Sequence, residues 1–176
     1  SKAYKRYTAH KKILTQTEKS TNMKKHLLLL SMVGFSVAVT AQDKDPYLTQ
    51  SLSKENIKKV NVETSGGSIM VTDASAADAR IEMYVTPNNN VTGISKDELK
   101  KRLEENYVVK INVAGDVLTA TAKNKSNDWN WKKSLSISFK IYVPGNISSD
   151  LSTSGGSIKL SNLEGTQVFR TSGGSL

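Results

Sequence analysis

A five-residue phrase, Thr-Ser-Gly-Gly-Ser, occurs three times in this chain, each time followed by an aliphatic residue: Thr64 to Ile69, Thr153 to Ile158 and Thr171 to Leu176. No other feature restricts the fold as much. Aligned on the Thr, the copies place Val62, Leu151 and Phe169 two residues before it, and Ile69, Ile158 and Leu176 five after it. Val71 and Leu160 stand at seven, and Ala74 and Leu163 at ten, while Glu63, Ser152 and Arg170 vary between copies. Apolar positions at fixed offsets are the mark of structural units that stack and share an inward face. A short unit cannot bury enough apolar surface by itself, so it relies on its neighbours. The second and third copies start 18 residues apart. That period, with short strands and glycine corners, predicts one turn of a parallel β-solenoid. Gly66, Gly67, Gly155, Gly156, Gly173 and Gly174 are read as structural turns, where a missing Cβ lets the backbone take a corner.

The rest of the chain fits a mainly β reading. Val60, Val62 and Thr64 alternate with Asn61 and Glu63, and Ile81, Met83 and Val85 with Glu82 and Tyr84. Such period-2 patterns put one face inward and one outward. Tyr107 to Val113 and Val117 to Lys123 flank Ala114-Gly115-Asp116 as a hairpin. Leu135, Ile137, Phe139, Ile141 and Val143 form the cleanest alternation, stopped by Pro144-Gly145-Asn146. One helix interrupts. Ser95 and Glu98 have capping-box spacing, Ile94 and Leu99 the positions of a hydrophobic staple, and Leu99 and Leu103 share a face. The 89 residues between the first two copies hold this helix. The expected fold is therefore mainly β: parallel solenoid-like repeats, a partly antiparallel N-terminal section and one short inserted helix. A β-sandwich or barrel is the alternative.

The net charge of +9 at first suggests a polyanionic partner. Eight of the 25 Lys and Arg, but one of the 16 acidic residues, precede residue 42. Residues 42–176 are nearly balanced and have no electrostatic footprint for nucleic acid. The basic part is organised as a leader. Residues 1–22 are polar and read as upstream or disordered sequence. Met23 starts a basic stretch, Leu27 to Val39 is apolar, and Val39-Thr40-Ala41 ends on small residues, which predicts a signal peptide at 23–41 with cleavage before Gln42. The apolar run is too short for a membrane span. Export to the periplasm or outer surface is expected, with no stable membrane span after cleavage. Residues 42–56 read as a linker and 57–176 as the β-repeat domain. Ser1 in place of Met, and a last residue inside the third copy, predict a fragment truncated at its C-terminus.

The composition also excludes chemistry. There is no Cys, and both His, His10 and His26, precede residue 42. A Ser-His-Asp or Cys-His arrangement cannot be assembled from residues 42–176, and zinc lacks its usual ligands. Paired carboxylates would suffice for glycoside cleavage, but Glu104 and Glu105 read as helix surface, and Asp73, Asp78, Asp116 and Asp128 as turn residues. The Gly-Gly phrase is flanked by strands, whereas a phosphate loop opens a helix. The expectation is no enzyme, cofactor or metal. One surface feature suggests binding. Trp129 and Trp131 stand in a polar loop and, if extended, face the same way as a platform for a sugar ring.

On Thr64 to Val71, Thr153 to Leu160 and the strand Leu135 to Val143 running into Pro144-Gly145, the chain resembles a bacterial family of unknown function whose members carry β-strand repeats and are often labelled candidate adhesins. The resemblance covers about residues 57–176. It implies an exported, non-catalytic envelope protein acting as adhesin or scaffold, whose partner is a surface glycan or another envelope protein. The helix departs from a plain repeat array. A carbohydrate-binding module using the Trp platform is the alternative, and a polysaccharide-cleaving β-helix the third reading.

Overall fold

The computed structural model describes residues 45–88, 93–126 and 133–176, all within one unit, Asp43–Leu176. The leader segments 1–22 and 23–41 lie outside the described residues. The described residues form ten strands: β1 (Leu48–Ser51), β2 (Lys59–Thr64), β3 (Ile69–Asp73), β4 (Arg80–Pro87), β5 (Tyr107–Ala114), β6 (Val117–Asn124), β7 (Leu135–Val143), β8 (Ser148–Thr153), β9 (Ile158–Ser161) and β10 (Gln167–Thr171). Between β4 and β5 lies the helix α1 (Lys96–Asn106), and a 3₁₀ turn, Ala76–Asp78, precedes β4.

The strands make two mixed sheets of five. The first has the order β1-β4-β7-β3-β9 and the second β10-β8-β2-β6-β5. Each sheet keeps two edges, so neither closes into a barrel. Alternate residues of both sheets enter one core, with Val60, Val62, Leu118 and Leu151 from the second meeting Ile69, Ile81, Phe139 and Ile141 from the first. The fold is mainly β with one α-helix among the described residues.

Strand direction divides each sheet. β3 runs parallel to both β7 and β9, and β2 parallel to both β6 and β8. β10 extends the parallel set, with Thr171 opposite Thr153. The antiparallel pairs, β1 with β4, β4 with β7 and β5 with β6, gather at the opposite side. Consequently the first and second copies of the phrase are neighbours in space despite the 89 residues between them. Thr64 faces Thr153 and Ile69 faces Ile158. Layer order is not chain order, because β6 and β7, laid down later, pair with the first copy from its other side.

Two local expectations need correction. The expected linker, residues 42–56, is not plain where it is described: residues 45–56 hold β1, paired with β4, and the fully buried Leu52. The segment is polar because β1 is a short edge strand with few inward positions. The capping box is half formed. Ser95 accepts from the Glu98 amide at 3.2 Å, but the Glu98 carboxylate takes Arg102 Nε at 2.8 Å. A guanidinium one turn along offers a charged donor, which outcompetes a neutral backbone amide.

Tyr107 ends the helix and starts β5. Its hydroxyl accepts from Leu135 N at 2.8 Å and donates to Leu135 O at 3.1 Å, both buried. The phenol thereby stands in for a strand partner at the start of β7. Tyr107→Phe leaves both Leu135 groups unsatisfied, so urea unfolding should show a loss of about 1–3 kcal/mol.

Candidate functional site

The platform residues Trp129 and Trp131 lie outside the described residues, as does Asp128. Gly66, Gly67, Gly155 and Gly156 lie in the bends that lead from β2 to β3 and from β8 to β9, one sheet to the other, and Gly173 and Gly174 in the bend that follows β10. In each copy the two glycines differ. A Cβ on the first meets open space or atoms no nearer than 3.6 Å. A Cβ on the second falls on backbone: 2.2 Å from Ile137 O at Gly67, 2.0 Å from Gly67 O at Gly156, and 1.9 Å from Gly156 O at Gly174. Only Gly67 of the six has a positive φ, 126°. The glycine requirement is thus mainly one of close approach between layers. The Thr of each phrase completes the contact, because its Oγ1 donates to the same carbonyl: Thr64 to Ile137 O at 2.8 Å, Thr153 to Gly67 O at 2.8 Å and Thr171 to Gly156 O at 2.9 Å. A fourth close approach, Gly165 on Ile147 O at 2.1 Å, carries no repeated phrase and was invisible in the sequence.

With the corners holding the layers, the outward faces are the surfaces available for binding. On the first sheet β4 and β7 place Arg80 opposite Tyr142 and Glu82 opposite Lys140. Glu82 accepts from Arg80 Nε at 2.7 Å and from Tyr84 Oη at 2.7 Å, and its side chain is only 12% exposed. Arg80 lies 3.8 Å from the centre of the Tyr142 ring, and Lys140 Nζ 4.7 Å from that of Tyr84. Both rings are thus covered by cations, a favourable arrangement that leaves less ring surface for a ligand. Burial opposes ionisation of Glu82, but the Tyr84 and Arg80 hydrogen bonds, with the Arg80 and Lys140 charges, outweigh it and hold the carboxyl below its ordinary value. The Glu82 hydrogen bond also raises Arg80, against its partial desolvation. A carboxylate held ionised in this way is a poor proton donor at neutral pH.

A carboxyl whose value is lowered on folding stabilises the fold above its ordinary range, and this is lost as pH falls through the lowered folded value. Glu82→Gln should therefore be less stable than the wild type at pH 7. Its unfolding midpoint should fall less steeply as the solution is taken into the acid range, measured by thermal unfolding across pH.

The second sheet carries a different surface. Outward residues of β2 line up with those of its parallel neighbours. Asn61 lies between Thr119 and Asp150, and Glu63 between Thr121 and Ser152, with Arg170 beyond Ser152. These residues, with Lys59, line a groove of about 450 Å³. Glu63 pairs with Lys123 at 2.8 Å and Asp150 with Arg170 at 3.0 Å. Asn61 Oδ1 is buried and accepts no hydrogen bond from any described residue. Each of these positions was legible as the polar member of an alternating strand. Their alignment was not, because nothing local reveals that β6 and β8 flank β2.

Among the described residues, no three or more His, Cys, Asp or Glu side chains come together in a way that could hold a metal, and no helix is long and apolar enough to cross a membrane. Asp78 is bonded to Ser75 Oγ at 2.7 Å in the 3₁₀ turn, and Asp116 sits in the β5–β6 turn, where its carbonyl accepts from Lys58 N and Lys59 N.

No protein-family model matches the chain, and no curated protein matches it. Among solved structures, a crystal structure of a candidate cell adhesion protein from Clostridium sporogenes resembles it at 11% identity and a TM-score of 0.41. The alignment covers 73% of this chain and 57% of that protein, so the chain spans less than two thirds of its length.

Proposed function

We propose that this chain is an exported, non-catalytic β-repeat protein of the cell envelope that acts as an adhesin or scaffold, and that its parallel strands form a solenoid-like stack. The supporting observation is the corner contact repeated from layer to layer. Thr Oγ1 and the second glycine meet the neighbouring carbonyl in the same way at all three copies of the phrase. Stacked units of this kind present long, rigid outward faces, which suit binding more than turnover. The carboxylates on those faces fit the reading. Glu82, Glu63 and Asp150 are each paired with a cation, and such pairing does not set up two free acids across a scissile bond. Export rests on the sequence of residues 23–41, with its basic start, apolar run and small residues before Gln42.

Fractionation of cells expressing the chain with its own leader tests this reading. Mature protein beginning at Gln42, found outside the cytoplasm and bound to envelope material, is the expected result. Cytoplasmic protein that keeps residues 23–41 contradicts export. Polysaccharide cleavage abolished by one carboxylate substitution contradicts the non-catalytic role.

A further inference from the structure

The groove on the second sheet has a layout that selects for one kind of ligand. Its lining carries two cations, Lys59 and Arg170, and two carboxylates, Glu63 and Asp150, with Lys123 paired to Glu63 beside it. A surface so nearly balanced gives little net attraction to a polyanion. The two rows at its centre, Thr119-Asn61-Asp150 and Thr121-Glu63-Ser152, present no apolar side chain. Val62 in the lining and the exposed Val168 opposite Asp150 on β10 are isolated, so an acyl chain or apolar peptide would find little to bury against. What the rows offer is hydroxyl, amide and carboxylate groups, which together donate and accept as sugar hydroxyls do.

Their arrangement repeats. Lining residues come from four adjacent strands, β6, β2, β8 and β10. Ordinary strand spacing puts the outermost of these roughly 14 Å apart, enough for a short stretch of polymer lying across the strands. The orphaned Asn61 Oδ1 stands in the middle of one row. A buried acceptor without a partner calls for a donor, and a hydroxyl of a bound chain or its water can supply one after a small rotation of the amide.

We propose that an uncharged, hydroxyl-rich polysaccharide chain binds across β6, β2, β8 and β10, held by Asn61 and Asp150 with the Thr121 and Ser152 hydroxyls beside them. The proposal rests on the reading of the chain as a non-catalytic binding protein, and gives that reading a ligand class and a place on the fold.

The test uses the full chain on a panel of immobilised neutral polysaccharides, with Asn61→Ala, Asp150→Ala and the pair Trp129→Ala and Trp131→Ala compared with wild type. Circular dichroism melts establish that each variant is folded. At least one neutral glycan should bind, in a manner insensitive to added salt. Each groove variant should weaken that binding by about tenfold or more, and the Trp pair should leave it unchanged. Binding lost only in the Trp pair would move the site off this sheet while leaving a glycan-binding role intact. Binding confined to acidic polysaccharides and abolished by salt, or no binding to any glycan, would overturn the proposal. Neither result bears on export, which fractionation reads separately.

Discussion

Gly156→Ala should lower the stability of this protein by at least about 3 kcal/mol, at or beyond the upper end of what overpacking ordinarily costs. Gly155→Ala, one residue away, should stay within about 0.5 kcal/mol of wild type. A methyl added at Gly155 meets open space. A methyl added at Gly156 would lie 2.0 Å from Gly67 O and 2.3 Å from its carbonyl carbon. Both sides of that clash are backbone, so no rotamer change relieves it. The β8–β9 layer must lift from the β2–β3 layer. Lifting breaks the Thr153 Oγ1 bond to Gly67 O and strains the backbone bonds on either side, Ser154 N to Thr64 O and Ile69 N to Ser157 O. Guanidinium unfolding of the two variants in parallel checks the claim. Equal loss in both would mean that the phrase acts through chain flexibility and not through contact between layers.

Phe139→Ala should cost about 3–5 kcal/mol, in the range for removing a large aromatic from a packed core. Phe139 is fully buried, on the central strand of the first sheet, between Met83 of β4 and Ile69 of β3. It thus touches the junction of the antiparallel and parallel parts of the sheet. Its loss leaves a cavity that neither part can close without disturbing the other. For a domain whose whole stability is on the order of 5–15 kcal/mol, a large drop in thermal midpoint is expected. By contrast, Phe169→Ala should be mild. Phe169 takes the position of Leu151 and Val62 in β10, an edge strand of the second sheet, but is 42% exposed. A scan of both by calorimetry separates an interior layer from an edge layer.

Much of the fold was legible because strands announce themselves by alternation. β7 begins and ends where the pattern Leu135 to Val143 does, and the Ser95 cap places the start of α1. The apolar offsets of the repeat were legible too, since Val62, Leu151, Ile69 and Ile158 all turn inward. Two things were not. Pairing between β2 and β8 joins residues 89 apart, and no local pattern encodes which distant strand lies alongside. The role of the glycines was read as backbone freedom, whereas five of the six have no positive φ, and the second of each pair is fixed by a carbonyl from another layer. The same blindness hid the groove. Asn61, Thr121 and Asp150 each look like an ordinary solvated position until β6, β2 and β8 are set side by side. Tyr107 shows it on a smaller scale: its place in the sequence fits the first residue of a strand, but its hydroxyl serves another strand 28 residues on.

The proposed stack has strand–corner–strand layers that support one another, with the second and third copies of the phrase 18 residues apart. Tandem duplication of residues 148–165 tests it most directly. This segment adds one layer whose Thr153 would meet the Gly156 carbonyl beneath it as Thr171 now does. It also ends on Gly165, so the close approach at Ile147 O is kept free of a side chain. If layers stack as neighbours in a line, the lengthened chain should unfold in one transition. Its denaturant dependence should be steeper, because more surface is exposed on unfolding, and its midpoint at or above that of the original chain. A lower midpoint, or an inserted segment cut readily by protease while the rest stays folded, would contradict the stacked-layer account.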